Sequence, residues 1–98
     1  IPLISSMGTG NKLHPELFRI SDLKDTSVCP LCRVMRKELK TRGIQSLKVC
    51  WSPEKPLTPA PAEEDTGSRR STPGSISFVP PAAGLMIAGE IVRNICGL

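Results

Sequence analysis

The sequence predicts an α/β fold, and three observations carry that reading. Short apolar stretches rich in strand formers recur between turn residues, a helical apolar period runs through the middle of the chain, and a proline pair introduces a second helix near its end. The expected order is strand, strand, helix, strand, long loop, strand, helix.

Leu3-Ile4-Ser5-Ser6 reads as the end of a buried strand that runs into the loop Met7-Gly8-Thr9-Gly10-Asn11-Lys12. Phe18-Arg19-Ile20-Ser21 alternates apolar and polar, as a half-buried strand does. A helix follows from Ser27 or Pro30 to Arg42, with Leu31, Val34, Met35 and Leu39 spaced to form its inward face. Gly43 supplies a left-handed stop, and the basic last turn suits the helix dipole. Leu47-Lys48-Val49-Cys50-Trp51 is the third strand. Residues 52–75 read as a mobile loop: prolines stand at 53, 56, 59 and 61 ahead of the acidic group Glu63-Glu64-Asp65, and its first half suits extended polyproline-like backbone. A short fourth strand then ends in Pro80-Pro81, which fix φ and can open a helix whose first N–H groups lack intrahelical partners anyway. Ala82, Ala83, Gly84, Ala88 and Gly89 leave that helix little bulk, so it is expected to pack closely against a large neighbour.

Size sharpens that expectation. Of 98 residues, the polar, proline-rich stretch contributes nothing to a core, which leaves roughly 75, near the size where a single core becomes marginal. The chain opens at Ile1, inside an apparent strand, and reads as part of a longer protein. Its net charge of +4 is uneven: between Lys24 and Lys48 stand seven basic residues against Asp25 and Glu38. Such an excess attracts nucleic acid or phosphate, although a solvated helix face looks the same. No signal-peptide pattern opens the chain. The second helix carries Glu90 and Arg93, and its uncharged part, about 15 residues or roughly 22 Å, falls short of a ~30 Å hydrocarbon core, so no membrane partner is expected. Cysteines spaced 3, 18 and 46 residues apart do not suggest a secreted disulfide framework, and the expected compartment is the cytoplasm.

Few motifs carry chemistry. The loop of residues 7–12 has the glycines and the lysine of a phosphate cradle but neither the dinucleotide nor the triphosphate signature, and a tight strand-end turn is the better reading. Cys29-Pro30-Leu31-Cys32 has the spacing of a zinc knuckle or a redox dithiol. Zinc needs four ligands, Cys50 and Cys96 form no second pair, and ordinary buried thiols are expected. Arg33, Arg36, Lys37 and Lys40 lie on one side of the first helix, and are the candidate nucleic-acid contacts. Arg69-Arg70 close the long loop, where solubility explains them as well as an anionic ligand does. His14 is the single histidine, so no Ser/His/Asp or Cys/His set can be assembled, and no catalytic residue is assigned.

Four segments in order resemble one family: Ser5-Ser6-Met7-Gly8-Thr9-Gly10-Asn11-Lys12-Leu13; Cys29-Pro30-Leu31-Cys32-Arg33-Val34-Met35-Arg36-Lys37-Glu38-Leu39-Lys40; Val49-Cys50-Trp51-Ser52-Pro53-Glu54; and residues 73–89. They are similar to the carboxyl-terminal half of the tRNA threonylcarbamoyladenosine dehydratases, within the ubiquitin-activating-like (ThiF/MoeB/HesA) adenylating enzymes. The resemblance implies the carboxyl-terminal part of a Rossmann-like fold, a mixed sheet with flanking helices, with residues 1–98 as half of a single domain. It implies an enzyme that uses ATP and magnesium to adenylate the carboxyl group of threonylcarbamoyladenosine in tRNA and then closes a ring with net loss of water. Members are typically cytoplasmic homodimers, and their ATP-binding residues lie in the other half, so this chain alone is expected to be inactive. The resemblance also makes the basic helix a contributor to tRNA binding and the long loop a crossover near the active site.

Two departures stand out. His14 takes the place of a usual aspartate before the proline, and the second Cys-x-x-Cys pair that holds zinc in related enzymes would fall near residues 71–74, where there is no cysteine. Two alternatives remain open at this point: adenylation of a ubiquitin-like sulfur-carrier protein, which would be the partner in place of tRNA, and a non-catalytic interaction or dimerisation module.

Overall fold

A computed structural model describes residues 2–57 and 74–98. The strands are β1 (Ile4–Ser6), β2 (Arg19–Asp22) and β3 (Lys48–Trp51); the helices are α1 (Pro30–Thr41) and α2 (Val79–Cys96), with single 3-10 turns at Pro15–Leu17 and Leu23–Asp25. They form a three-stranded mixed sheet in the order β1-β3-β2, with β3 parallel to β1 and antiparallel to β2. Ser5 aligns with Val49, and Ile20 with Cys50. Met7 N–H to Cys50 O and Leu23 N–H to Leu47 O, both 2.8 Å, extend the two ladders by one bond each.

Alternation along β3 divides the core in two. Val49 and Trp51 point to one face, where they pack with Met7, Leu23, Cys29 and Cys32, flanked by Met35 and Leu39 of α1. Cys50 points to the other, against Phe18, Val79 and Ala83, with Met86 and Ile87 of α2 alongside. The sheet is thus covered by one helix on each face, as an α/β arrangement requires.

Both helix boundaries follow from local chemistry. Pro30 opens α1 where a missing N–H costs nothing. Its end is a Schellman closure: Gly43, at φ 74°, donates to Lys40 O, and Ile44 N–H reaches Leu39 O at 2.9 Å. In α2 the proline pair lies in the first turn, and Gly97 at φ 71° caps the end.

Two expectations are corrected. There is no strand in residues 74–78: Val79 N–H bonds Ile76 O at 3.1 Å and Phe78 is already helical (φ −102°, ψ −5°), so a turn leads straight into α2. The Ile76/Phe78 alternation points at no sheet, and both side chains are exposed. The inward face of α1 is also rotated from the expected one. Cys32 is fully buried with Met35 and Leu39 beside it, whereas Leu31 and Val34 are 44% and 56% exposed. A cysteine in the first turn acts as the small apolar knob that the sheet accepts.

Gly84 of α2 has open space around it, and Gly89 meets only the guanidinium of Arg93. Leu85 and Ile95 are 75% and 80% exposed. Of the small residues, Ala83 packs against Cys50 of the sheet, whereas no large neighbour meets Gly84 or Gly89 among the described residues. No helix among them is long and apolar enough to cross a membrane.

Glu90 ties α2 to the sheet. Its carboxylate accepts from Lys48 Nζ at 2.9 Å and Arg93 Nη2 at 3.3 Å, and these two bonds hold it below the ordinary 4.5. A folded-state pKa below the unfolded one gives a contribution complete above 4.5 and lost as pH falls through the lowered value. Glu90→Gln should accordingly lower the thermal midpoint slightly near neutral pH and have no effect once the wild-type carboxyl is itself protonated. Melts of both proteins across the acid range check this; an equal loss at every pH would assign the effect to packing instead.

Candidate nucleic-acid interface

The four basic residues expected to meet RNA line two grooves on either side of α1. Arg33, Arg36 and Lys37, with Val28, Cys29, Pro30 and Val34, border a groove of about 640 Å³ at the amino-terminal end. Arg36 and Lys40, with Lys24 and the residues that follow the helix, border a second of about 460 Å³. Arg36 belongs to both. The helix places Arg33, Lys37 and Lys40 at three- and four-residue spacing, which aligns their side chains on one exposed face.

Arg36 is held in place. Its guanidinium donates to Thr26 O at 3.0 Å and to the Thr26 hydroxyl, and that hydroxyl donates to Leu23 O at 2.7 Å. Arg33, Lys37 and Lys40 are exposed, and none of the ion pairs among the described residues involves them. The result is one anchored guanidinium flanked by three solvated cations on a rigid helix, an arrangement suited to phosphates spaced along a backbone.

The glycine loop is already occupied by the protein's own groups. Asn11, left-handed at φ 58°, donates its N–H to Gly74 O at 2.8 Å and accepts Gly74 N–H on Oδ1. Its own carbonyl accepts Leu57 N–H at 2.7 Å. The Glu54 carboxylate accepts Leu13 N–H and His14 N–H at 2.9 and 3.0 Å. The amides at 11, 13 and 14 are therefore spent on structure, which favours the turn over a phosphate cradle. Lys12 is buried beside them. His14 is exposed, with Nδ1 2.9 Å from Glu16.

Cys29 and Cys32 are both buried. Among the described residues no group of three or more His, Cys, Asp or Glu stands close enough to hold a metal, and two thiols alone do not make a tetrahedral zinc site. Arg69, Arg70, Glu63, Glu64 and Asp65 lie outside the described residues. Sequence reasoning missed Thr26, Asn11 and Glu54. The left-handed tolerance of Asn beside glycine was a usable signal for Asn11; contacts of Glu54 and Thr26 across the fold had none.

No family model matches the chain. It is 35% identical over 104 residues to the tRNA threonylcarbamoyladenosine dehydratase of Bacillus subtilis, which covers 97% of this chain and 41% of that protein. Over nearly its whole length, the chain is thus similar to part of a tRNA threonylcarbamoyladenosine dehydratase. It is also 45% identical over 71 residues to tRNA threonylcarbamoyladenosine dehydratase 2 of Saccharomyces cerevisiae, covering 65% of this chain and 16% of that one. The chain thus spans less than half the length of the curated relatives it matches. Among solved structures, E. coli tRNA N6-threonylcarbamoyladenosine dehydratase superposes with a TM-score of 0.82 at 20% identity, covering 98% of this chain and 39% of that one. Its AMP complex gives 0.78 at 20% identity, covering 99% and 39%. These likenesses bear out the α/β fold, with its mixed sheet and flanking helices, that the sequence resemblance implied.

Proposed function

We propose that this chain is the carboxyl-terminal part of an ATP-dependent tRNA-modifying enzyme that dehydrates threonylcarbamoyladenosine to its cyclic form. The observation that carries the reading is the 35% identity with the Bacillus subtilis dehydratase over 97% of the chain. In the proposed reaction the substrate carboxylate attacks the α-phosphorus of ATP and releases pyrophosphate. A nucleophile of the carbamoyl group then attacks the acyl carbon, and AMP leaves with the oxygen. ATP, with magnesium to offset its charge, is held by the rest of such an enzyme, and the chain alone is inactive. The basic face of α1 contributes to tRNA binding, and the intact protein works as a cytoplasmic homodimer. Residues 1–98 are the carboxyl-terminal half of a single domain; most of the loop read at 52–75, residues 58–73, lies outside the described residues.

The test is tRNA cyclisation with ATP and magnesium, by the chain alone and after mixing with a separately expressed amino-terminal half of the same enzyme. Product from the mixture only is expected. Product from the chain alone would overturn the part-enzyme reading. Absence of product from halves shown to assemble would move the assignment to a sulfur-carrier substrate or a non-catalytic module.

A further inference from the structure

The thiol pair at the start of α1 is a chemically capable cluster that the proposed function does not use. Cys29 is the N-cap and Cys32 is three residues on, across the first helical turn. Side chains at that spacing lie about 5–6 Å apart at Cβ, close to the reach of a disulfide and adjustable at a helix end. Cys29 also borders the 640 Å³ groove, while Cys32 lies behind it with no exposed surface.

The backbone leading into the pair is strained. Val28 is β-branched yet sits at φ 68°, and Cys29 N–H closes a three-residue turn onto Ser27 O at 2.7 Å. Such strain gathers where a side chain must be aimed. Here it aims Cys29 between the first amides of α1 and the Gly8 backbone, with Sγ 3.8 Å from where a Gly8 Cβ would stand.

We propose that Cys29 and Cys32 form a reversible intramolecular disulfide, with Cys29 as the attacking sulfur, Cys32 as the resolving sulfur and a hydroperoxide as the oxidant. The Cys29 thiolate attacks one peroxide oxygen and the O–O bond breaks, which leaves a sulfenic acid and a hydroxide that takes up a proton. Cys32 then gives up its proton and attacks the Cys29 sulfur; the S–O bond breaks and a second water leaves. In sum, two thiols and one hydrogen peroxide give one disulfide and two waters, with two electrons passing from sulfur to oxygen.

The electrostatics agree with this division of roles. Burial raises the Cys29 thiol, but the Cys32 N–H, the Cys32 thiol and the amides of Gly8 and Leu31 outweigh it and bring Cys29 below the ordinary 9.0. Burial and the neighbouring Cys29 push Cys32 up to about 11, which keeps it protonated until the first step is complete. Cys29 and Arg36 border the same groove, so closing the bridge acts beside the candidate RNA-binding face.

The test uses the full chain carrying Cys96→Ser, which removes the exposed thiol. It is treated with equimolar hydrogen peroxide, blocked with N-ethylmaleimide and digested with trypsin; residues 25–33 form one peptide that carries both cysteines. The expected peptide is lighter by two hydrogens, unblocked, and returned to the doubly blocked form by dithiothreitol. Adding Cys32→Ser should leave a Cys29 sulfenic acid that dimedone traps, whereas adding Cys29→Ser should slow peroxide consumption at least about tenfold. Recovery of the doubly blocked peptide after peroxide, or oxidation of Cys50 in its place, would overturn the proposal. The first of these readouts needs no substitution within the pair and so stands even where a variant fails to fold.

Discussion

Replacing Trp51 with alanine should abolish or nearly abolish cooperative unfolding of this chain. Trp51 ends the central strand, is almost fully buried among Met7, Leu23, Cys29, Cys32 and Val49, and donates Nε1–H to Ser21 Oγ at 2.8 Å. Truncating a buried tryptophan costs about 3–5 kcal/mol, because the cavity adds to the lost transfer free energy. Domains have only about 5–15 kcal/mol in total, and a three-stranded sheet with two half-cores belongs near the low end. With a urea slope of about 2 kcal/mol per molar, the midpoint should fall by roughly 2 M, if a transition survives at all. Trp51→Phe keeps a ring in the site and loses the bond to Ser21, so it should cost about 1–2 kcal/mol. Since Trp51 is the single tryptophan, far-UV circular dichroism is the suitable probe. An unchanged midpoint for the alanine variant would mean that the face of the sheet toward α1 does not hold the fold together.

Elements whose cause is local were legible in the sequence. The three strands lie within one residue of their expected bounds, and the Pro30 start and Gly43 stop of α1 follow from φ restriction and a left-handed closure. Pro80 and Pro81 mark the first turn of α2 for the same reason. What failed depended on the partner surface. The fourth strand read from Ile76 and Phe78 has an acceptable alternation but no neighbouring strand among the described residues, and a turn takes the amide of Val79 instead. On α1, helical spacing favoured Leu31 and Val34 as inward residues, yet the sheet buries Cys32, as the reading of ordinary buried thiols expected, and leaves those two exposed. The clamp of Asn11 on Leu57 and Gly74 joins residues far apart in sequence, and no periodicity encodes such a contact.

The basic face itself was legible because helical spacing alone aligns its residues; which of them are free to bind was not. Arg36 donates to Thr26 and holds the 3-10 turn against α1, so its removal would confound binding with stability. Arg33, Lys37 and Lys40 make no ion pair among the described residues, and substituting these three tests the interface without disturbing the core. Changed together to alanine, they should weaken tRNA binding by on the order of a hundredfold or more at low salt. They should also flatten the log–log salt dependence by about two to three, since each lost phosphate contact removes roughly 0.7–0.9 of slope. Filter binding or anisotropy over a salt series measures both quantities at once. Arg19→Ala, on β2 rather than α1, is the matched control and should leave the slope unchanged. A triple variant with reduced affinity but the wild-type slope would point to a damaged fold rather than lost phosphate contacts, and unchanged affinity would leave α1 as an ordinary solvated face. The slope decides between these because counterion release counts contacts directly, whereas affinity alone sums contacts and stability.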